Sequence, residues 1–425
     1  MSPPPPTHRL TADLLGVGGV IKQRHDDFQV EELPLYEPSG QGEHLMLLVE
    51  KRGRTTQEAI KRIADAFRVG KRDIGYAGLK DKHALTRQHL TVHLPGKTED
   101  GELIGQALER CEALRDIDVL WATPHANKLK RGHLAANQFT IFIRDVGVTA
   151  AIRAKPILDR LAATGIPNYY GPQRFGFRRN AHALGRLLLL NQHHAFIEEM
   201  LARPGDDDDP RLADDRARFR QGDLSAAIDA WPRALPYDRQ LLDALRKQKP
   251  ADQAVAAISR EHRDFLLSAA QSAAFNRVVA QRLADGTLNQ LLVGDLAFLH
   301  DRGAVFAVDQ PTADTDNAPE GRVAQLAVSP SGPMWGPGMT LPTDQPLALE
   351  QQAAQAEGIT PDQWLAGPAD RSLHVEGARR PLRIPLRDAS LAGGSDDHGL
   401  YLRLKFTLPK GAFATIVCDE IMKAN

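Results

Sequence analysis

The chain has 425 residues, a formal net charge of −1, 42% apolar and 25% charged side chains, a balance that excludes wholesale disorder and permits a sizeable buried core. No apolar run reaches the roughly eighteen residues needed to cross a bilayer, and the proline-rich start, Met1 to Pro6, lacks the hydrophobic stretch of a secretory signal; a cytoplasmic location is expected. Cys111 and Cys418 are too few for a disulfide framework or a cysteine metal cluster, and both are expected as buried, inert thiols.

Against a typical domain of about 150 residues, the length predicts two or three domains. The segment Gly19 to Glu32 reads as a pair of short strands with Val20, Ile21, Phe28 and Val30 inward, and His44 to Glu50 as a third strand. Thr55-Thr56-Gln57-Glu58 is a capping box, followed by Ile60, Ile63, Ala64 and Phe67 at helical spacing until Gly70, expected to stop the helix. Its apolar stripe should pack on the sheet carrying the next stretch, GYAGLKDKHALTRQHLTV (residues 75–92). There Leu90, Val92 and Leu94 alternate with Thr91 and His93 as in a half-buried strand, and Gly75 and Gly78 are expected to let the chain turn sharply before Asp81.

A weaker helix near Leu103 to Leu114 precedes a strand around Val119 to Ala122. The segment from Thr123 to Arg144 reads as a basic loop, with Lys128, Lys130, Arg131 and His133, and then a strand with Phe139, Ile141 and Ile143 on one face. From about residue 153 the pattern becomes helical: Ile152 to Thr164, Ala181 to Leu201, Ala213 to Ala230, Arg239 to Lys247 and Arg260 to Asp285. Asp206 to Asp209 lacks the glycine and final glutamate of a calcium loop and reads as a solvated loop. Residues 293–346 return to short strands and turns, Leu349 to Glu357 is a small helix, and Leu400 to Leu408 gives the clearest alternation in the chain, placing it with the N-terminal sheet. Strands, then helices, then strands again is the trace of one domain inserted in another. The expected class is therefore α+β, a mixed, mostly antiparallel sheet domain interrupted by a mainly helical one, with boundaries at 1–160, 161–383 and 384–425.

Walker, zincin and nucleophile-elbow signatures are missing, and Gly16-Val17-Gly18-Gly19 lacks the spacing of a dinucleotide loop. His89 and His93, four apart on a strand, do not make a helical metal pair, so no metal is expected. What remains is Asp81 between Lys80 and Lys82. Neighbours in an extended stretch point to opposite faces, so both lysines should project away and leave the carboxylate unpaired. Residues 51–140 hold 17 Lys and Arg against 11 Asp and Glu, whereas residues 198–223 hold nine acids against five bases. A polyanion bound on one side fits this asymmetry, as do ordinary solvated faces. The stretch NYYGPQRFGFRRN (168–180) interleaves aromatics with arginines, which fits single-stranded RNA recognition and equally fits a turn with packed aromatics.

The segments GLKDKHALTRQ, KLKRGHLAANQF, NYYGPQRFG, LLSAAQSAAFNRVVAQRL and LPKGAFATIVCDEIM stand in the same order as in the pseudouridine synthase D family, which the chain resembles from about residue 20 to 422. The resemblance implies a sheet catalytic domain of the pseudouridine synthase type carrying the family's own insertion domain. It further implies isomerisation of a tRNA uridine, number thirteen in bacterial members, to pseudouridine without a cofactor, by a monomer with no protein partner implied. The catalytic aspartate falls on Asp81 and the base-contacting positions on Phe28, Asn137, Phe139 and Phe413. An aspartate is ionised at neutral pH and can attack ribose C1′ or uracil C6; both carbons remain open. Phe139 would stack on the flipped uracil, Asn137 would hydrogen-bond Asp81 or the uracil edge, and Lys22 is a candidate counter-charge. Lys128, Lys130, Arg131, Arg174, Arg178 and Arg179 are candidate phosphate contacts, with Lys80 and Lys82 as field-makers beside Asp81. Tyr170 replaces the phenylalanine of the family's NYFG form, and the insert from Arg203 to Gln248 lengthens the chain relative to compact members. A non-catalytic RNA-binding protein and a carboxylate-dependent nucleoside hydrolase are the rival readings.

Overall fold

The computed structural model describes residues 8–203 and 210–423; the proline-rich start and the acidic run Asp206 to Asp209 lie outside the described residues. In chain order, β1 (Phe28–Pro34), β2 (His44–Arg52), α1 (Thr56–Phe67), β3 (Ile74–Tyr76), β4 (Leu85–His93), α2 (Gly101–Glu112), β5 (Ile117–His125), β6 (Leu134–Arg144) and α3 (Ala150–Thr164) come first. After β7 (Ile166–Pro167) follow α4 (Ala181–Leu189), α5 (His193–Ile197), α6 (Pro210–Arg220), α7 (Leu224–Ala230), α8 (Pro236–Arg246), α9 (Ala251–Ala256) and α10 (Arg260–Ala284). Then come β8 (Leu296–Leu299), β9 (Val305–Ala307), α11 (Gln310–Asp316), β10 (Val328–Met334), α12 (Asp344–Ala356), α13 (Pro361–Ala366), β11 (Ala378–Pro381) and β12 (Arg383–Ile384). The chain ends with β13 (Arg387–Asp396), β14 (Gly399–Pro409) and α14 (Ala414–Met422).

Two units divide these elements. A sheet unit holds Leu10–Ile166 with Ile384–Asn425, and a helical unit holds Pro167–Arg383 with the residues up to Arg9. The sheet unit is built on one eight-stranded sheet in the order β13-β14-β6-β1-β4-β2-β5, with β3 also on β4. Only β1 and β4 run parallel within it, pairing over Gln29–Glu31 and Leu85–Arg87. Ile60, Ile63 and Phe67 of α1 pack on Leu45, Leu47, Leu90 and Val92, and α3 and α14 cover Phe28, Phe139, Ile141, Leu404 and Phe406. β14 pairs with β6 from Tyr401–Arg144 to Pro409–Ala136, so the alternating C-terminal strand does lie in the N-terminal sheet. Cys111 and Cys418 are buried, and desolvation pushes their thiols up to about 11 and about 12.

In the helical unit, α10 lays Ala269, Ala270 and Ala274 into a core that includes Trp231, Trp335 and Trp364. A Cβ on Gly185 would lie 2.0 Å from the Leu266 carbonyl oxygen; the glycine allows α4 its close approach to α10. A four-stranded sheet, β11-β10-β8-β9, completes this unit. The class is thus α+β, a mixed sheet unit interrupted by a mainly helical one.

Several local expectations change. The proposed strand at Val20 is a single bridge to Arg144, because Lys22 adopts a left-handed φ of 62° and His25–Asp27 form a 3-10 turn. Helix α1 has its capping box at Thr55 but ends at Arg68, left-handed at φ 54°, before Gly70. β4 is buried at Gln88, His89 and Thr91 as well as at Leu90 and Val92, since the basic loop covers its other face: Thr91 Oγ1 accepts from the Leu129 N–H at 3.0 Å. The helix read over Ala181 to Leu201 breaks at Asn191, φ 55°, and the one over Ala213 to Ala230 splits near Gly222, φ 85°. The glycine-rich β13, and the short α9, α11 and α13, lacked a readable period.

Arg144 fixes the segment that delivers Lys22 and Phe28. Its main chain exchanges hydrogen bonds with Val20 (2.8 and 3.0 Å). Its buried guanidinium donates from Nε and Nη2 to Asp27 Oδ1 (3.0 and 2.7 Å) and from Nη1 to Asp396 (2.7 and 2.9 Å). Removing one member of a buried pair strands the other charge, at a cost of about 3–5 kcal/mol. Arg144→Met is therefore expected to lower the urea-unfolding free energy by that order, and adding Asp27→Leu to recover most of the loss; an unchanged midpoint for Arg144→Met would contradict this role.

Candidate active site

Asp81 sits on the link between β3 and β4, and its neighbours decide where it points. Gly75 and Gly78 do not have positive φ, so their purpose is not the sharp turn expected of them. A Cβ on Gly75 would lie 2.3 Å from Thr91 Oγ1 and 2.6 Å from the Leu129 carbonyl oxygen; a glycine lets the basic loop close over β3 and β4.

Five residues later the chain buries a lysine. Lys80 Nζ lies 2.7 Å from Glu32 Oε2 on β1 and donates to Asn137 Oδ1 on β6 at 2.7 Å. Side chains of Lys80 and Glu32 are 5% and 1% exposed. Burial works to raise the Glu32 carboxyl, but the His89 imidazole, Lys80 and, least, the His89 N–H at 3.1 Å together outweigh it and hold the carboxyl below its ordinary value. The Lys80 N–H donates to Thr56 Oγ1 (2.9 Å), which donates to Gln88 Oε1 (3.0 Å), so the first turn of α1 anchors the same residue. Lys80 thus points into the sheet rather than standing in solvent beside Asp81, and Asn137 bonds this lysine rather than Asp81.

Alternation then turns Asp81 outward. Its side chain is 53% exposed, yet it is not the unpaired carboxylate expected: Oδ2 accepts from Lys22 Nζ at 2.9 Å. Lys22 in turn lies 4.2 Å over the centroid of the Phe28 ring. The main chain is pinned as well, because Lys51 Nζ donates to the Asp81 carbonyl oxygen at 3.0 Å and to that of Arg54 at 2.6 Å. Lys82 is exposed.

The phenylalanines form a packed wall. Phe28 meets Phe139 edge-on at 6.2 Å, and Phe139 stacks on Phe406 at 5.6 Å; Phe28 and Phe139 are 3% and 7% exposed. Phe413 is the half-buried N-cap residue of α14. The Leu408–Asn137 register carries the end of β14 alongside the Asn137 end of β6. Residues 20–30, 75–92, 133–144 and 400–420 therefore share one sheet unit.

The cationic candidates divide. In the sheet unit Lys130 and Arg131 are exposed, Arg131 lying 5.9 Å from the Tyr76 ring centroid, while Lys128 donates to the Arg72 carbonyl. In the helical unit Arg179 is exposed, but Arg174 is half-buried, donating to Ser268 and Ser272 with its guanidinium over Tyr170 and Phe265. Arg178 donates to the carbonyls of Glu199, Met200 and Arg203. These two arginines direct their donors to protein acceptors, so the aromatic and basic stretch is largely internal packing. The extra hydroxyl of Tyr170 likewise turns to Met334 Sδ at 3.5 Å.

Lys51 and Glu32 were not singled out in the sequence, although a signal existed. Lys51 is in phase with Leu45, Leu47 and Val49 on β2, and Glu32 with Phe28 and Val30 on β1. A charged residue on the inward phase of a strand marks a buried polar contact.

The family model described as tRNA pseudouridine synthase D matches residues 7–421. Among curated relatives, a tRNA pseudouridine synthase D of Geotalea daltonii is 40% identical over 417 residues, covering 98% of this chain and 99% of its own length. A Geobacter metallireducens protein of the same name is 41% identical over 419 residues, covering 98% of each. The solved structure of a putative tRNA pseudouridine synthase D from Methanosarcina mazei shares the fold, with a TM-score of 0.79 at 22% identity over 98% of this chain and 96% of its own.

Lys51 gives a pH-dependent test of the geometry. Burial pulls its ammonium down to about 8 from an ordinary 10.5, with Asp81 opposing the shift. Between those values the unfolded chain binds more protons than the folded one, so the stability contribution of Lys51 rises with pH across that window and falls as pH drops through about 8. Relative to wild type, Lys51→Met is expected to lose about 3 kcal/mol of unfolding free energy between pH 8 and 10.5. Parallel urea titrations of the two proteins measure this difference, and a gap that stays constant with pH would refute it.

Proposed function

The chain belongs to the tRNA pseudouridine synthase D family, and from that premise we propose that it converts uridine 13 of tRNA to pseudouridine with Asp81 as covalent nucleophile and no cofactor. The observation that carries the reading is the mounting of Asp81. The link is anchored at Thr56, Glu32, Asn137 and Lys51, while the carboxylate itself stays half-exposed on Lys22. A nucleophile held in place before substrate arrives avoids the entropy cost of ordering it in the transition state.

The reaction is an isomerisation, so nothing is gained or lost overall. The N1–C1′ bond breaks, a C5–C1′ bond forms, C5 gives up its proton and N1 acquires one. With Oδ2 engaged by Lys22, Oδ1 is the oxygen left for attack on C1′ or C6; among the described residues no hydrogen bond to it is recorded. Phe28, Asn137, Phe139 and Phe413 are the proposed uracil-facing positions, and Lys130, Arg131, Lys82 and Arg179 the proposed phosphate contacts. The sheet unit is then the catalytic domain, and the helical unit the family's insertion domain. The same reading has the enzyme act as a monomer in the cytoplasm; no described helix is long and apolar enough to cross a membrane.

Asp81→Asn keeps the size of the side chain and removes its charge. Pseudouridine formation in tRNA is expected to fall at least roughly a thousandfold, with tRNA affinity little changed. Nucleotide-resolution mapping of pseudouridine, together with a free-uracil assay, makes the decision. Undiminished pseudouridine from Asp81→Asn would overturn the assignment, and release of uracil by the wild type would point to hydrolysis instead.

A further inference from the structure

Leu79 is 64% exposed. An exposed leucine is ordinary on a protein surface, but this one is the second residue before the proposed nucleophile, on the same anchored link. Exposure alternates along the link: Leu79 outward, Lys80 inward to Glu32, Asp81 outward. Leu79 and Asp81 thus both face solvent, on either side of a buried lysine whose N–H is held by Thr56.

The proposed reaction has a requirement that Asp81 alone does not meet. A stacked uridine shields its C1′ and C6, so the base must leave the stack before a carboxylate can reach either. Departure opens a gap between the flanking bases, and nucleic-acid-deforming proteins fill such gaps with apolar wedges. A rigidly mounted leucine beside the nucleophile has the chemistry for that task. Its side chain is apolar, so it sheds little water on entering the stack, whereas each of the cations nearby would lose hydration.

We propose that Leu79 is the wedge that enters the RNA stack where the target uridine departs, holding the gap open while Asp81 engages the flipped nucleotide. The proposal rests on the assignment of Asp81 as nucleophile. Because Leu79 is exposed, shortening it leaves the packed core intact, and thermal melting of the variants checks that point.

The test separates flipping from chemistry. A tRNA carrying 2-aminopurine next to the target uridine brightens when its neighbour unstacks, with or without catalysis. With saturating Asp81→Asn protein the signal is expected to rise, and with Asp81→Asn/Leu79→Ala to stay near the level of unbound tRNA, while Leu79→Met restores the rise. In single turnover, Leu79→Ala in an otherwise wild-type chain is expected to slow pseudouridine formation in tRNA about 10–100-fold, with little change in tRNA affinity. On an RNA presenting the same uridine in a bulge, already unstacked, the loss should shrink to less than about threefold. Equal brightening with and without Leu79, or an equal rate loss on tRNA and bulged RNA, would overturn the wedge. Failure of the nucleophile assignment reads differently, as retained pseudouridine formation by Asp81→Asn on either RNA.

Discussion

A lysine buried beside Asp81, the proposed nucleophile, is the constraint on which the site depends. Lys80 and Glu32 meet at 2.7 Å with side chains almost fully out of solvent. Removing two charges from water is costly, and only close pairing with further hydrogen bonds offsets the penalty. The offset here comes from separate parts of the chain: Glu32 on β1, the His89 N–H on β4, and Asn137 on β6. The pair is satisfied only when these strands are in register, so the central sheet and the Asp81 link form together. Once Lys80 is committed inward, the backbone has little choice about the residues on either side, and both Leu79 and Asp81 must face out.

Three amino groups surround Asp81, and they do different work because their own partners differ. Lys80 is neutralised by a carboxylate and acts through geometry. Lys51 donates to carbonyl oxygens, and the opposing charge of Asp81 does not make up for its burial, which brings its ammonium to about 8; its contribution is to hold the main chain of Asp81. Of the three, Lys22 alone reaches the Asp81 carboxylate, and it remains 28% exposed. Its left-handed backbone and the adjoining 3-10 turn place Nζ over Phe28, and the Arg144–Asp27 pair holds that turn against β6. The charge that meets the Asp81 carboxylate is therefore set by packing some distance from it.

What could be read from the sequence follows from periodicity. The alternation of Leu400 to Leu408 and the helical spacing of Ile60 to Phe67 dictated elements that exist, and the ordered motifs pointed to Asp81. Long-range polar contacts carry no period. Pairing of Lys80 with Glu32, 48 positions away, left only the weak trace of a carboxylate on the inward phase of β1. Gly75 looked like a turn former because sequence cannot show that the Leu129 carbonyl needs its missing Cβ. Arg174 and Arg178 looked like RNA contacts because an arginine over an aromatic ring has the same composition whether it faces a base or the protein's own core. A left-handed Arg68 ends its helix without any compositional signal, whereas Asn191 belongs to a residue type that favours that conformation.

In the reaction proposed above, the placement of Lys22 matters most after Asp81 has reacted. When a carboxylate oxygen forms an ester with C1′, Asp81 becomes neutral and the departing uracil takes up the negative charge. Addition at C6 has the same bookkeeping, with the charge passing to C5 and the adjoining carbonyl. Either route moves one negative charge from Asp81 to the ring while the ammonium of Lys22 stays 2.9 Å from the oxygen it has just lost as a counter-ion. The most favourable new partner for that ammonium is the uracil anion itself. A cation that begins paired with the aspartate thus ends by retaining the detached or activated base beside the ribose, long enough for C5 to replace N1. A cation on a flexible stem, supported by an aromatic face rather than locked by a second carboxylate, can follow the charge through both stages.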